Sequence, residues 1–239
     1  MHGEPDGADA LALAVARHAE GLPDVFCVVL CPPPTLLGRL SQLIAGVYNV
    51  KTGGQTCHHR DEGAFTGDVS ARMVRDAGAS YVIVGHSERR QYHNETNAQV
   101  KEAAALALNV GLIPIICIGE SAQERTSGRA FEVVGAQVLA SLPEEAKSHD
   151  FVLAYDPVWA IDSGATPTMD DIAVMHAHIM AVAAKKTGKE PSDIAVLYGG
   201  SVKADNAHDI LHTLGVSGVL VGGASLKAEE FCRIISAAV

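Results

Sequence analysis

Four short runs of apolar, largely β-branched residues end at glycine or at polar side chains, and this pattern limits the possible folds more than any other feature. The runs cover residues 81–84, 151–155, 194–197 and 219–221, and they lead into Gly85-His86-Ser87-Glu88-Arg89-Arg90, Asp156-Pro157-Val158-Trp159, Tyr198-Gly199-Gly200-Ser201 and Gly222-Gly223-Ala224-Ser225. A strand that stops in this way delivers polar groups to one edge of a sheet. Parallel α/β barrels build their sites from such strand ends, so an enzyme is the leading interpretation.

Strand and helix patterns alternate along the chain, with short connections between them. Apolar residues at helical spacing predict helices at residues 8–20, 36–44, 69–76, 95–109, 122–141, 169–186, 204–213 and 226–237. Strands are predicted at residues 25–30, 47–50, 80–84, 112–117, 151–155, 194–198 and 218–221. Asp6 is the expected N-cap of the first helix. The alternation indicates βαβ crossovers and therefore a parallel sheet.

The predicted fold class is α/β, in the form of a TIM (β/α)8-type parallel barrel that lacks its first β-strand. The count gives eight helices but seven strands, and the first element is a helix where a barrel should begin with a strand. An open sheet is the alternative, but the nucleotide-binding loops GxGxxG and GxxxxGKS/T of doubly wound folds are absent from the sequence. Residues 1–239 have a suitable length for a single domain. Seven strands would leave two unpaired edges, which a swapped segment, a partner chain or collapse of the neighbouring strands should cover.

Composition and charge argue against several classes of function. The formal net charge of −10 disfavours nucleic acid and anionic membranes as partners. Apolar residues make up 48% of the chain, enough for a sizeable core. No apolar run approaches the ~20 residues of a membrane span. Five cysteines without a CxxC pair favour reduced thiols, and the first residues have no signal-peptide pattern, so a cytoplasmic location is expected.

Six segments share the order and spacing of one enzyme family over nearly the whole chain. They are Gly63-Ala64-Phe65-Thr66-Gly67, Tyr81-Val82-Ile83-Val84-Gly85-His86-Ser87-Glu88-Arg89-Arg90, Cys117-Ile118-Gly119-Glu120, Pro157-Val158-Trp159-Ala160-Ile161, Tyr198-Gly199-Gly200-Ser201-Val202 and Leu220-Val221-Gly222-Gly223-Ala224-Ser225-Leu226. Together they resemble the triosephosphate isomerases. The resemblance implies a homodimeric TIM barrel of glycolysis and gluconeogenesis, with no metal and no cofactor. Such an enzyme interconverts dihydroxyacetone phosphate and D-glyceraldehyde 3-phosphate.

The resemblance also assigns residues to the groups that this isomerisation needs, which are a base, an electrophile and a phosphate grip. His86 would be the electrophile that polarises the carbonyl, with a core histidine as the alternative. Asp156 occupies the position of the family's base. Glu88 would support catalysis, although an ion pair with Arg89 is an equally good explanation.

By the same resemblance, phosphate binding would fall to the backbone amides of Ser201, Gly222 and Gly223. Adjacent glycines allow the chain to approach an anion closely, and a following helix N-terminus would favour the negative charge. A tight strand–helix turn without a ligand is the alternative. His208 and His212 have the spacing of a metal-binding pair on a helix, but a solvated face is the preferred interpretation.

Three departures from the family pattern predict a strongly impaired or inactive enzyme. Asp156 stands where the family has glutamate, so its carboxylate sits back by about an ångström, and such a misplacement can cost ~10²-fold in rate. Asp162, in the lid at residues 157–166, replaces a glycine whose amide binds the substrate phosphate; it would either repel the phosphate or turn outward. The family's first strand carries an Asn and a Lys that have no counterpart here. Lys51 is a poor substitute because it lies elsewhere on the barrel.

Three functional hypotheses stay open. The first is a weakened triosephosphate isomerase acting on a small phosphorylated triose, and the second is a non-catalytic phosphate-binding relative with an interaction role. The third is an isomerase of another small phosphorylated ketose or aldose. Residues 55–67 resemble the family's dimer loop, whose tip near Thr66 enters the partner, so a homodimer is expected. A shortened reading frame of an ordinary isomerase would also explain the missing strand.

Overall fold

The computed structural model describes residues 2–160 and 167–239 of the chain. Its helices are α1 (Pro5–Ala19), α2 (Pro34–Leu43), α3 (Ala71–Asp76), α4 (Ser87–Tyr92), α5 (Asn97–Asn109), α6 (Ala122–Thr126), α7 (Ala130–Ser141), α8 (Met169–Thr187), α9 (Ala207–Leu211) and α10 (Ala228–Ser236). Its strands are β1 (Val28–Leu30), β2 (Val50–Gly54), β3 (Tyr81–Val84), β4 (Ile113–Ile118), β5 (Val152–Tyr155), β6 (Ala195–Tyr198) and β7 (Gly218–Val219). Within these ranges, no helix combines the length and the hydropathy that crossing a membrane requires.

The strands form a parallel sheet in the order β1 to β7, so that each strand pairs with its successor in the chain. Val28 lies opposite Val50 in the first pair, and Tyr155 lies opposite Tyr198 in the fifth. One or two helices connect each strand to the next. The carboxyl ends of the strands therefore meet at one edge of the sheet, as the sequence predicts.

Apolar side chains pack on both faces of this sheet. A small cluster occupies one face, formed by Ile83, Ile115, Cys117 and Ala154. The other face packs against the helices in the main core, which includes Val84, Ile116 and Leu153. Burial on both faces is typical of parallel strands, and it explains why the sequence segments that form these strands are continuously apolar.

The second strand begins later than the sequence predicts, at Val50 rather than at residue 47. Gly53 and Gly54 suggest a strand end, but both lie within the strand because their neighbours leave no room for a side chain. A Cβ on Gly53 would come within 2.9 Å of the Cys31 Sγ, and one on Gly54 within 2.9 Å of a Val74 methyl. Close packing, and not a turn, explains this glycine pair.

The helix predictions are correct in type but differ in detail. The predicted helix at 122–141 is two helices, because Gly128 adopts a φ of 74° between α6 and α7. Glu4 and not Asp6 is the N-cap of α1, since Pro5 occupies the first helical position that proline favours. The additional helix α4 lies within the polar segment after β3, where six residues are too few to show a period.

The gap expected in the barrel lies between β1 and β7. These strands are the two ends of the sheet, and in the described part of the chain neither has a second partner strand. The neighbouring strands have therefore not collapsed onto each other. The helix layer is continuous across this region, because α1 packs against α2 on one side and α10 on the other.

His176 on α8 is a buried histidine whose protonation should oppose folding. Its imidazole is 0% exposed, Nδ1 lies 3.0 Å from the carbonyl oxygen of Gly215, and the ring packs edge-on against Tyr155. Burial lowers the pKa of His176 from 6.5 to about 4. Between these two pH values the unfolded chain binds the proton and the folded chain does not, so stability falls as the pH drops from 6.5 towards 4.

This gives a prediction for acid unfolding. The His176 contribution to the free energy of unfolding should decrease by about 3 kcal/mol across that pH range. His176→Gln keeps a donor for Gly215 but cannot titrate, so its stability should fall less steeply in urea unfolding measured from pH 7.5 to 4.5. Equal slopes for the two proteins would contradict the prediction. His18→Gln on α1 is the control, because the His18 Nε2 lies 2.9 Å from the Ser236 hydroxyl at the surface.

Candidate active site

His86 lies at the end of β3 and is the N-cap of α4. Its Nδ1 accepts a hydrogen bond from the backbone N–H of Glu88 at 3.4 Å. Because Nδ1 is the acceptor, the proton of a neutral imidazole is on Nε2, which can then donate to a ligand. Gly85, just before His86, adopts a φ of 71°, and a Cβ there would come within 2.8 Å of Val100. The turn that presents His86 therefore requires glycine.

Arg90 and Glu95 hold the same turn in place through hydrogen bonds to its backbone. The Arg90 guanidinium donates to the carbonyl oxygen of Gly85 at 2.7 Å and to that of Cys117 at 3.0 Å, which joins the ends of β3 and β4. Glu95 accepts from the Gly85 N–H at 3.0 Å and from the Arg89 Nε at 3.2 Å. The described ion-pair partner of Arg89 is thus Glu95, and not the Glu88 that the sequence offers as an alternative.

Asp156 follows β5, and its side chain lies at the first turn of α4. The residue is 2% exposed, its backbone N–H donates to Ile118 at 2.7 Å, and its Oδ2 accepts from the Ser87 N–H at 3.4 Å. Oδ1 is buried and has no hydrogen-bond partner within the described protein. The Asp156 carboxyl and the His86 imidazole therefore both accept from backbone amides of the same helix turn.

The backbone of Asp156 is held by glycines on both sides. A Cβ on Gly119, at the end of β4, would lie 1.8 Å from the Asp156 carbonyl oxygen. One on Gly199, at the end of β6, would lie 3.1 Å from the carbonyl oxygen of Tyr155. A cavity of about 380 Å³ lies on one side of Asp156 and is lined by Ser87, Arg90 and Gln137.

Gly119→Ala should therefore destabilise the protein. The clash is with backbone, which cannot rotate away, so the free energy of unfolding should fall by about 3 kcal/mol, the upper end of typical overpacking effects. The measurement is the urea unfolding midpoint. Gly7→Ala in α1 is the matched control, since its Cβ meets no described atom within 4 Å and alanine favours the helix. A midpoint for Gly119→Ala equal to that of the unmodified protein would disprove the close approach.

The start of the predicted lid is anchored by Glu120. This carboxylate is 0% exposed and accepts from the Tyr155 hydroxyl at 3.0 Å, the Trp159 Nε1 at 2.9 Å and the Arg125 guanidinium at 3.3 Å. Arg125 also covers the Trp159 ring at 4.4 Å and pairs with Asp171 of α8 at 2.8 Å. Residues 157–160 are thus joined to β4, α6 and the beginning of α8.

The expected phosphate loops lie at the carboxyl ends of β6 and β7. Asn206 orders the first loop, since its side chain donates to the carbonyl oxygen of Ser201 and accepts from the Lys203 N–H. The space next to the Cα atoms of Gly222 and Gly223 is open, because a Cβ on either residue would meet no described atom within 4 Å. A short 3-10 turn, Gly223–Leu226, begins at the second glycine of this pair, in place of the α-helix N-terminus that the sequence suggests.

The other sequence-predicted residues are placed as follows. Glu88 is exposed and contributes its backbone N–H to His86. Asp162 lies outside the described residues. Lys51 is on β2, where its ammonium group lies 5.6 Å from the Tyr48 ring. The rings of His208 and His212 stack at the surface with centroids 4.2 Å apart, and no cluster of three metal-binding side chains occurs within residues 2–160 and 167–239.

The sheet and its polar edge define an α/β protein of the TIM-barrel class, with its site at the carboxyl ends of parallel strands. The sequence model of the family described as triosephosphate isomerase matches residues 1–238. Triosephosphate isomerase of Chelativorans sp. is 50% identical over 237 residues, which cover 99% of this chain and 93% of the relative. That of Xanthobacter flavus is 50% identical over 209 residues, covering 87% and 84%. The crystal structure of triosephosphate isomerase from Bartonella henselae is 40% identical, with a TM-score of 0.90 and coverage of 99% and 94%.

The chain belongs to the triosephosphate isomerase family. The fold class expected from the sequence, a TIM-type parallel α/β barrel in which a strand is lacking, is confirmed by the seven-stranded sheet and by its similarity to the solved relative.

Proposed function

We propose that this chain interconverts dihydroxyacetone phosphate and D-glyceraldehyde 3-phosphate with low turnover, by proton transfer through an enediolate. One observation carries the proposal: the His86 imidazole and the Asp156 carboxyl each accept a hydrogen bond from a backbone N–H in the first turn of α4. A proton donor and a carboxylate base, side by side, are what abstraction of a proton next to a carbonyl requires. Family membership supports the choice of substrate.

Each residue has a definite part in this mechanism. Asp156 removes the proton from one carbon and returns it to the neighbouring carbon. The His86 Nε2–H donates to the carbonyl oxygen as negative charge develops there, and His86 carries the hydroxyl proton from one oxygen to the other. Glu88 acts through its backbone N–H, which keeps Nδ1 of His86 in the acceptor state. The amides of Ser201, Gly222 and Gly223 bind the phosphate. All of these steps use the chain's own residues, without metal or cofactor.

The low turnover follows from the short side chain of the base and from the reduced positive charge at the developing oxyanion. The Asp156 carboxylate bonds to Ser87 and must turn towards the substrate with a side chain one methylene shorter than glutamate. Arg89 and Arg90, the cations next to His86 in the sequence, are already bonded to Glu95 and to backbone carbonyl oxygens. Because both guanidinium groups are engaged in these bonds, neither supplies positive charge to the developing oxyanion.

A coupled assay with each triose phosphate, at high enzyme concentration, tests the proposal. Turnover above the uncatalysed rate in both directions supports it, and a rate near that of an efficient isomerase would contradict the proposed impairment. Absence of turnover, together with a rise in Tm on adding inorganic phosphate or phosphoglycolate, would favour a non-catalytic phosphate-binding relative. That second function is supported by the open space before Gly222 and Gly223.

We also propose that the chain acts as a single-domain homodimer in the cytoplasm, joined through residues 55–67. Phe65 in this loop is 42% exposed although its ring packs at a 37° tilt against His58, with centroids 4.1 Å apart. An exposed aromatic residue on an ordered loop suits an interface.

The dimer proposal predicts that Phe65→Asp converts the protein to a monomer. A charged group in the centre of an apolar interface has no partner and is costly to bury. Sedimentation velocity at micromolar concentration measures the change. Phe131→Asp on α7 is the control, because Phe131 is 43% exposed and lies outside the loop. A monomeric unmodified protein, or equal behaviour of both variants, would contradict the proposed interface.

A further inference from the structure

The chain at the end of β4 extends past the end of its neighbour β3. The last paired residue of β3 is Val84, which lies opposite Ile116. Successive residues of a strand direct their backbone N–H and C=O groups to alternate sides. The Ile118 carbonyl oxygen accepts from the chain that follows β5, so the N–H and C=O of Gly119 point to the side where β3 has ended. These two groups need partners other than a strand.

One side chain of α7 supplies both partners. The Gln137 Oε1 accepts from the Gly119 N–H at 2.8 Å, and its Nε2 donates to the Gly119 carbonyl oxygen at 3.0 Å. A carboxamide has a donor and an acceptor, as the backbone of a neighbouring strand has, so Gln137 takes the place of β3 at this point. Arg90 does the same for the preceding carbonyl on this side of β4, that of Cys117.

Gly119 in turn supports the backbone of Asp156. A Cβ on Gly119 would lie 1.8 Å from the Asp156 carbonyl oxygen and 2.6 Å from its carbonyl carbon, so the glycine Cα and this peptide group are in contact. The residues on either side of Gly119 also bind this segment, because the Asp156 N–H donates to Ile118 and the Val158 N–H donates to Glu120. A displacement of Gly119 therefore moves Asp156.

We propose that Gln137 is a positioning residue for the base: it holds Gly119, and through Gly119 it sets the position of the Asp156 carboxylate. The inference rests on the proposed isomerase function and adds to it a residue that lies on a helix rather than at a strand end. Gln137 also lines the cavity beside Asp156, so the amide and the carboxylate border the same space. Its loss should lower kcat and leave KM nearly unchanged, because the proposed phosphate-binding amides follow β6 and β7.

Gln137→Met tests this, since it keeps the length of the side chain and removes both hydrogen bonds. In the Asp156→Glu protein it should lower kcat ~10-fold, because a displacement of part of an ångström costs less than the ~10²-fold of a full one. KM should change by less than threefold. Val138→Ala is the matched control: it shortens the next side chain of α7, which is buried in the main core, and lowers Tm without removing a bond to Gly119. Its kcat should stay within twofold of the parent protein.

Gln137→Glu gives a pH profile that a purely structural role would not produce. Its carboxyl group can both accept from the Gly119 N–H and donate to the Gly119 carbonyl oxygen only when it is protonated. The ratio of its kcat to that of the parent protein should therefore rise at least threefold as the pH falls from 8 to 5.5. The same ratio for Gln137→Met should not change with pH.

Hydrogen exchange at the Ser87 amide reports the position of the Asp156 carboxylate without any turnover. Ser87 is the first residue of α4, so its N–H has no acceptor within the helix, and Asp156 Oδ2 is its described acceptor at 3.4 Å. Gln137→Met in the otherwise unmodified chain should reduce the protection of this amide at least tenfold. Val138→Ala should change it by less than threefold.

Unchanged kcat in Gln137→Met, equal losses of kcat in Gln137→Met and Val138→Ala, or unchanged protection of the Ser87 amide would each overturn the proposal. A rise in KM at constant kcat would also overturn it, because substrate binding and not the base would then depend on Gln137. If the parent protein shows no turnover, the proposed function fails, and the Ser87 amide alone decides whether Gln137 holds Asp156. If Gln137→Met does not fold, the pH profile and the Ser87 protection of Gln137→Glu decide.

Discussion

Asp156→Glu is expected to raise kcat/KM for both triose phosphates by ~10²-fold, because a reacting group misplaced by about an ångström can cost that much. The backbone at this position is held by the hydrogen bond to Ile118 and by the close approach of Gly119, so the added methylene moves the carboxylate and not the chain. The cavity beside Asp156 has room for the longer glutamate side chain when no substrate is bound. The coupled assay, run at equal protein concentration, measures the gain.

Asp205→Glu is the matched control, since its side chain is 90% exposed and pairs with Arg233 of α10. It should leave kcat/KM unchanged. A gain below threefold for Asp156→Glu would mean that the length of the base does not limit the reaction. The reduced positive charge at the developing oxyanion would then account for most of the low turnover.

His86→Gln, introduced into the Asp156→Glu protein, is expected to lower kcat by at least ~10²-fold, the lower range for loss of a general acid–base group. The more active background makes the loss measurable. Glutamine can still accept from the Glu88 N–H, so α4 should keep its N-terminal hydrogen bond and Tm should change little. Loss of kcat without loss of stability distinguishes a catalytic histidine from a core histidine.

His93→Gln at the C-cap of α4 is the control for this experiment, because His93 is an exposed histidine at the other end of the same helix. Its kcat should equal that of the Asp156→Glu protein. Equal losses in the two glutamine variants would show that α4 as a whole, and not the imidazole of His86, supports turnover.

Much of the architecture could be predicted because its signals are local. A parallel strand buried on both faces is a short apolar run, and the polar residues after it must lie at the sheet edge. This places His86, Asp156, Ser201 and Gly222 at one end of the molecule without any knowledge of tertiary contacts. The second strand was predicted too early because Gly53 and Gly54 act through close packing, which no local pattern distinguishes from a turn.

The contacts within the site could not be predicted, because they join distant parts of the chain. Glu120 binds Tyr155, Trp159 and Arg125, and nothing in their spacing relates one to another. The motif Cys117-Ile118-Gly119-Glu120 supports the family resemblance, but only the folded structure shows that Glu120 is a fully buried carboxylate whose hydrogen bonds must be satisfied. The same holds for Arg89, whose partner Glu95 lies six residues further on and not beside it.

The most direct test of the central claim, that His86 and Asp156 form a proton-transfer site, is deuterium exchange into the substrate. Dihydroxyacetone phosphate is incubated with the protein in D₂O, and NMR measures deuterium at the carbon that loses its proton. The account predicts incorporation above the protein-free rate, faster with Asp156→Glu and at least ~10²-fold slower again when His86→Gln is added. Incorporation at the protein-free rate in all three proteins would contradict it.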